Sequence, residues 1–289
     1  MYRIDPDLRQ DYERWMQQIA DLPLHPGCVV TADDVMRAHY LLVDRFKSEA
    51  QPIGIPGPRD INLLMSALGR QTTGYGGKLK YQSDFEVCAT LFYGLIKDHP
   101  FHDGNKRTAL LTALYHLQRI GRTPKSQQKE FEKLALRTAA DELHLYSQYE
   151  KHRNKNDAEV LFIAHFLRRN TRELDSSLRL ITYRDLDKIL RRYGYYLDDP
   201  GDNHIHVAKT VTERHGLLLR QRTREKVVLR IGFPRWSAQV PKSVMSSVLD
   251  ATGLTERNGY DSKTVFEGAD PLDALLDKYY GLLKRLRDK

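Results

Sequence analysis

Nine residues, His99-Pro100-Phe101-His102-Asp103-Gly104-Asn105-Lys106-Arg107, separate two stretches of helical periodicity, and no other feature constrains the fold as much. Upstream, Ser83 and Glu86 form a capping box, and Phe85, Cys88, Ala89, Phe92, Leu95 and Ile96 recur at helical spacing, which predicts a helix over Asp84 to Lys97. Downstream, Leu110, Ala113, Leu114 and Leu117 repeat the period and Gly121 stands where a C-cap glycine belongs, so a second helix begins near Asn105. A backbone turn between the two helices holds the polar groups together.

The chemistry of those groups is complementary. The amides and positive dipole end of the second helix form an anion site, to which Lys106 and Arg107 add full charges. Phosphate is the natural guest. An imidazole across the turn, His99, can take a proton from an attacking hydroxyl. Asp103 supplies hard carboxylate oxygen of the kind that suits Mg²⁺ held mainly by phosphates and waters, and Gly104 permits a tight turn against a ligand. Phe101 has no part in proton or phosphate chemistry and reads as a buried peg that fixes the loop. His102 reads as a solvated loop residue and His116 as structural.

The run resembles the motif of the Fic/Doc family, His-x-Phe-x-Asp/Glu-Gly/Ala-Asn-Gly/Lys-Arg. The resemblance covers roughly residues 23 to 142. It implies that His99 is the general base, that Asp103 binds Mg²⁺, and that Gly104, Asn105, Lys106 and Arg107 form the phosphate cradle. It also implies ATP or another nucleoside triphosphate as co-substrate. Lys106 stands where the AMP-transferring branch has glycine, and Leu110 where that branch has a second arginine. Asn-Lys-Arg-Thr-Ala-Leu at 105 to 110, Phe85-Glu86-Val87 and Leu68-Gly69-Arg70 are similar to the death-on-curing (Doc) branch. That branch implies transfer of the terminal phosphate to a protein hydroxyl, with elongation factor Tu as the described target. The alternatives are protein adenylylation, or an RNA-binding or ribonuclease toxin on a quiet Fic scaffold.

A chain of 289 residues has room for two domains, expected at 1 to 174 and 175 to 289. Its two cysteines, Cys28 and Cys88, exclude a disulfide framework and argue for a reducing compartment. The longest apolar run, Val160 to Leu167, is too short for a membrane span, so the expectation is a cytoplasmic protein without a membrane partner. A net charge of +8 permits an anionic partner but does not require one.

The first domain reads as helical almost throughout. Thr31 with Asp34 caps a helix to Phe46; Pro58 opens one to about Leu68; Ser126 caps one to about Leu143; Asp157 begins one reaching Arg172; and residues 7 to 20 form another. Gly74, Gly76 and Gly77 followed by Lys78 to Tyr81 read either as a flap, which in Fic-like folds aligns the target by strand pairing, or as a flexible connector.

In the second domain Thr182 and Asp185 cap a helix, Asp198-Asp199-Pro200-Gly201 signals a turn, and strands are expected at 204 to 211, 217 to 220 and 226 to 233. Pro241 then opens a helix to Leu249. The fold class is therefore mainly α, plus a small α+β domain of order α-β-β-β-α. That order, with Gly194-Tyr195, His204 and Val240-Pro241, resembles HicA-type toxin domains, whose fold is like that of double-stranded-RNA-binding domains. Seven Lys/Arg against two Glu between Glu213 and Arg235 make either a basic face or a solvated strand surface. Candidate RNA contacts are His204, Arg220, Arg222, Arg224 and Lys226; by resemblance His204 would serve cleavage, although Asp202-Asn203 replaces the usual Gly-Ser before it. A last helix from Asp270 carries the stripe Leu272, Leu275, Leu276, Tyr279, Leu282, Leu283 and Leu286. Thr138 to Glu142 and Thr252 to Glu256 have the spacing of the inhibitory motif found in some Fic proteins, but Leu143 and Arg257 follow them, so control is expected from a separate antitoxin.

Overall fold

The computed structural model describes residues 4–20, 28–50, 52–125, 128–174, 181–201, 203–215, 220–255, 258, 260, 265 and 270–286. Among these the chain is mainly helical with a small sheet region and divides into two compact units, Met1–Leu174 with Pro271–Lys289, and Asp175–Asp270. No helix among the described residues is long and apolar enough to cross a membrane.

The helices of the first unit begin where their caps dictate. α1 spans Pro6–Ala20 and α2 Ala32–Phe46, where both halves of the Thr31/Asp34 capping box are formed. α4, Asp84–Lys97, starts at the Ser83/Glu86 box, and α5, Asn105–Arg119, ends before Gly121 at φ 69°. α3 is shorter than expected. It spans Ile61–Gly69 with Asp60 as N-cap, because Pro58 is drawn into a bridge with Phe101 instead of starting the helix. α6 covers Gln128–Ala139 and gives way to 3₁₀ turns, so the expected run to Leu143 is not continuous; Ser126 lies outside the described residues. α7 spans Ala158–Asn170, and the residues expected to finish it form a strand instead.

That strand, Thr171–Glu173, pairs antiparallel with Arg122–Pro124, a link between distant segments without local signal. With the hairpin of β1 (Gly74–Tyr75) and β2 (Lys78–Leu79), they are β4 and β3. α4 and α5 lie in the middle of the apolar core, with α2, α3, α6 and α7 packed around them. A Cβ on Gly94 would fall 2.8 Å from the Arg70 Cδ and 3.2 Å from the Ala67 Cα, so α3 and α4 meet almost backbone to backbone. The terminal helix belongs to this unit and not, as the expected boundary had it, to the second. As α10, Pro271–Arg285, it lays Leu272, Leu276, Leu282 and Leu283 into the core and packs on α5, α6 and α2.

Two buried histidines make this unit sensitive to acid. Burial pushes His39 down to about 3, with His102 adding to the effect, and pushes His116 down to about 3, with Arg119 adding. The folded unit therefore holds both neutral below pH 6.5, where the unfolded chain takes up protons. Their contribution is complete above that value and lost as pH falls toward about 3, at up to ~1.4 kcal/mol per pH unit for each histidine. Denaturant midpoints should fall between pH 6.5 and 5, and His116→Phe should flatten that slope. A slope equal to wild type would show that His116 is not held neutral.

The second unit contains α8, Tyr183–Arg192, capped by the Thr182/Asp185 box; strands β5, Tyr195–Gly201, β6, His204–His215, and β7, Arg220–Gly232; and α9, Lys242–Thr252. The strands form an antiparallel sheet of order β5-β6-β7, and Leu197, Ile205, Val207 and Ile231 pack with Tyr183, Leu186, Leu190, Met245 and Val248 from the helices. The order α-β-β-β-α is found, but its strands differ from the expectation. The Asp198 to Gly201 segment ends β5 through a register shift instead of standing as a turn, and 220 to 232 is one strand where two pieces were expected. The stretch 216–219 lies outside the described residues, as do residues 175–180 at the expected boundary and Asp202.

Candidate active site

The nine-residue turn is built from the core outward. Phe101, 1% exposed, stacks on His39 at 3.9 Å between ring centroids and 12° between planes, and bridges Pro58 through its backbone. The Pro100 carbonyl accepts N–H groups from Arg59 at 2.7 Å and Asp60 at 3.4 Å. Asn105 then closes the turn: its Oδ1 accepts the Phe101 N–H at 2.9 Å and its Nδ2 donates to the Phe101 carbonyl at 2.9 Å. Phe101 is thus the buried peg expected of it. The Asn105 side-chain amide thus ties the loop to itself.

Gly104 has φ 76°, a left-handed backbone that favours glycine, and a Cβ there would have to push the Ile53 Cδ1, 2.8 Å away, aside. The first intrahelical bond runs from the Thr108 N–H to the Gly104 carbonyl at 2.8 Å. The amides of Asn105, Lys106 and Arg107 precede it at the positive end of α5. Lys106 is half-buried at this end, and Asp103, also half-buried, accepts the Gly54 N–H at 3.3 Å. His99 is exposed and left-handed at φ 48°, an uncommon backbone state for a non-glycine residue.

Arg107 makes a contact that the sequence does not suggest. Only 3% exposed, it donates from Nε to the Leu286 carbonyl at 3.0 Å and lies 4.9 Å over the Phe46 ring. It thereby fastens the C-terminal end of α10, where a cation opposes the helix dipole favourably.

Several neighbours of the site carry no sequence signal of their own. The segment from Ile53 to Asp60 covers the turn through Gly54, Pro58 and Arg59, and His39 donates or accepts at Thr108 Oγ1 over 3.0 Å as it supports Phe101. Arg70 bonds Thr90 Oγ1 at 3.1 Å and lies 5.5 Å over Tyr93. Burial raises the Asp98 carboxyl, while Arg70 and His99 oppose the rise, so three charged or polar groups meet where α4 ends. The β1–β2 hairpin presents Tyr75, 96% exposed, and Leu79, with Lys80 paired to Asp157 at 2.6 Å. His102 is exposed and His116 fully buried, as expected.

In the second unit His204 opens β6 opposite Gly232, and its ring lies 5.5 Å from that of His206. Arg224 and Lys226 are exposed on β7, where Arg220 and Arg222 occupy further positions.

The turn sets a glycine, an amide-capped loop and two cations at the start of a buried helix. Residues 29–117 match the model of the Fic/DOC family, a little under a third of the chain, and the resemblance carried by the motif holds over that stretch. Members of the family transfer a nucleoside monophosphate or a phosphate to protein targets, use ATP, generally with Mg²⁺, and often have antitoxin partners. No curated protein matches the chain.

Proposed function

We propose that the first unit is a Doc-like transferase that moves the terminal phosphate of a nucleoside triphosphate to a hydroxyl of a protein target, with a translation factor such as elongation factor Tu as the candidate target. The observation that carries this reading is the half-buried Lys106 in the first turn of α5, one residue after the Asn105 clamp and three after Asp103. A lysine there places a mobile point charge where the AMP-transferring branch has none, which favours the terminal phosphate at the helix end.

His99 takes the proton from the attacking hydroxyl; its exposure leaves it accessible to a protein substrate. Gly104 and the first amides of α5 hold the phosphates, Lys106 neutralises them, and Arg107 adds charge from the first turn while fastening α10. Among the described residues no group of three or more His, Cys, Asp or Glu could hold a metal ion. The donor set still fits Mg²⁺ in its usual mode, since Asp103 alone would bind it along with phosphate oxygens and waters. Bound there, Mg²⁺ would neutralise the transferring phosphoryl group. The exposed β1–β2 hairpin is suited to aligning the target by strand pairing, and an antitoxin is the natural means of control.

Intact mass spectrometry of the modified target tests the branch. Wild type should add a phosphate, and Lys106→Gly should shift product toward an AMP adduct. AMP addition by wild type would assign the chain to the adenylylating branch.

A further inference from the structure

We infer that the β6–β7 ribbon of the second unit is an arm that binds duplex DNA through its major groove. β5 accompanies β6 only as far as Lys209, opposite Tyr195. Beyond that point, among the described residues, β6 and β7 continue without β5 through six more pairs, Thr210↔Glu225 to His215↔Arg220. At about 3.4 Å per residue, this free ribbon is roughly 20 Å long.

Its register sorts the charge. Positions Lys209, Val211, Glu213 and His215 pair with Lys226, Arg224, Arg222 and Arg220. Alternate positions of a strand belong to one side of a sheet, so this series gathers five lysines and arginines against one glutamate. The intervening series, Thr210, Thr212 and Arg214 with Glu225, Thr223 and Gln221, holds one charge of each sign. The two series are separate in space as well: Tyr196 donates to Glu225 at 2.5 Å, while Lys209 lies 5.5 Å over the ring of the next residue back, Tyr195. Arg224 and Lys226 are exposed, so among the described residues no helix of the unit covers the basic series there.

A narrow two-stranded element with cations along one side matches a polyanion wide enough to admit it. The major groove of B-form DNA is about 12 Å across and accepts a two-stranded ribbon. The major groove of duplex RNA is deep and too narrow for side chains to read, so the free ribbon fits DNA better than the RNA expected from composition and resemblance. This inference is independent of the transferase reading.

The test uses the full chain with a mixed-sequence duplex DNA, the same sequence as duplex RNA, and a salt titration of each. Micromolar binding to DNA at low salt is expected, with affinity falling linearly in the logarithm of salt concentration. The double variant Arg224→Ala/Lys226→Ala should lower that slope by about 1.8, since each phosphate contact contributes about 0.9. Lys188→Ala, an exposed cation on α8 outside the ribbon, should leave it unchanged. Circular dichroism of the double variant should match wild type because both side chains are exposed. Absence of DNA binding at low salt, a slope unmoved by the double variant, or tighter binding of duplex RNA than of duplex DNA would each overturn the inference.

Discussion

His99→Ala is expected to lower transfer by ~10²–10⁴-fold while leaving the helical unit folded. The two halves of that expectation have separate causes. The ring is exposed at the end of α4 and contributes nothing to the core, so its removal leaves no cavity. Its backbone is left-handed at φ 48°, a state that the flanking Asp98 cap and the Pro100 carbonyl bonds impose and that alanine inherits at a modest cost. The hydroxyl of the target would then have no group at hand to accept its proton. Nucleotide binding, measured by calorimetry, should survive the change, because the anion site belongs to α5. A variant that transfers at the wild-type rate would remove His99 from the mechanism.

Phe101→Ala should be the most damaging substitution for the fold of the site, lowering stability by ~3–5 kcal/mol. The ring is 1% exposed and lies flat on His39, so its loss opens a cavity beneath the turn. Through its backbone, which alanine keeps, Phe101 also holds Asn105 at two atoms and Pro58 in a bridge, so loss of the ring loosens the packing beneath those bonds without removing them. Chemical denaturation measures the first effect, and the rate of transfer under conditions where the variant remains folded measures the second. Equal stability in variant and wild type would show that the ring is not a core residue.

Much of the architecture was legible where the signal is local. Each of Thr31/Asp34, Ser83/Glu86 and Thr182/Asp185 places a side chain three residues from the amide it caps, and all three boxes form. What could not be read depends on distant partners. Pro58 has the propensity to start a helix, yet Phe101 captures it. Arg122–Pro124 gains its strand from Thr171–Glu173, neither segment being strand-like alone. The same division holds at the site. The nine residues of the turn announce their chemistry by type and order, but the Arg107 bond to Leu286, 179 residues away, is a product of how α10 packs. The ribbon is an intermediate case, since its basic residues are plain in the sequence while their alignment on one register series appears only with the pairing.

The role of α10 follows from that same bond. A helix that places five leucines in the core, and whose following residue offers its carbonyl to a motif arginine, is part of the first unit. The first turn of α5, which would carry the phosphates, is therefore braced from a segment far outside residues 29–117.

The most direct test of the central claim is a pair of parallel reactions with the target protein, one with ATP labelled at the terminal phosphate and one with ATP labelled at the first, each run with wild type and with His99→Ala. Label from the terminal phosphate alone, appearing on the target with wild type and lost with His99→Ala, is the predicted result. Label from the first phosphate, or terminal-phosphate label that persists without His99, would contradict it.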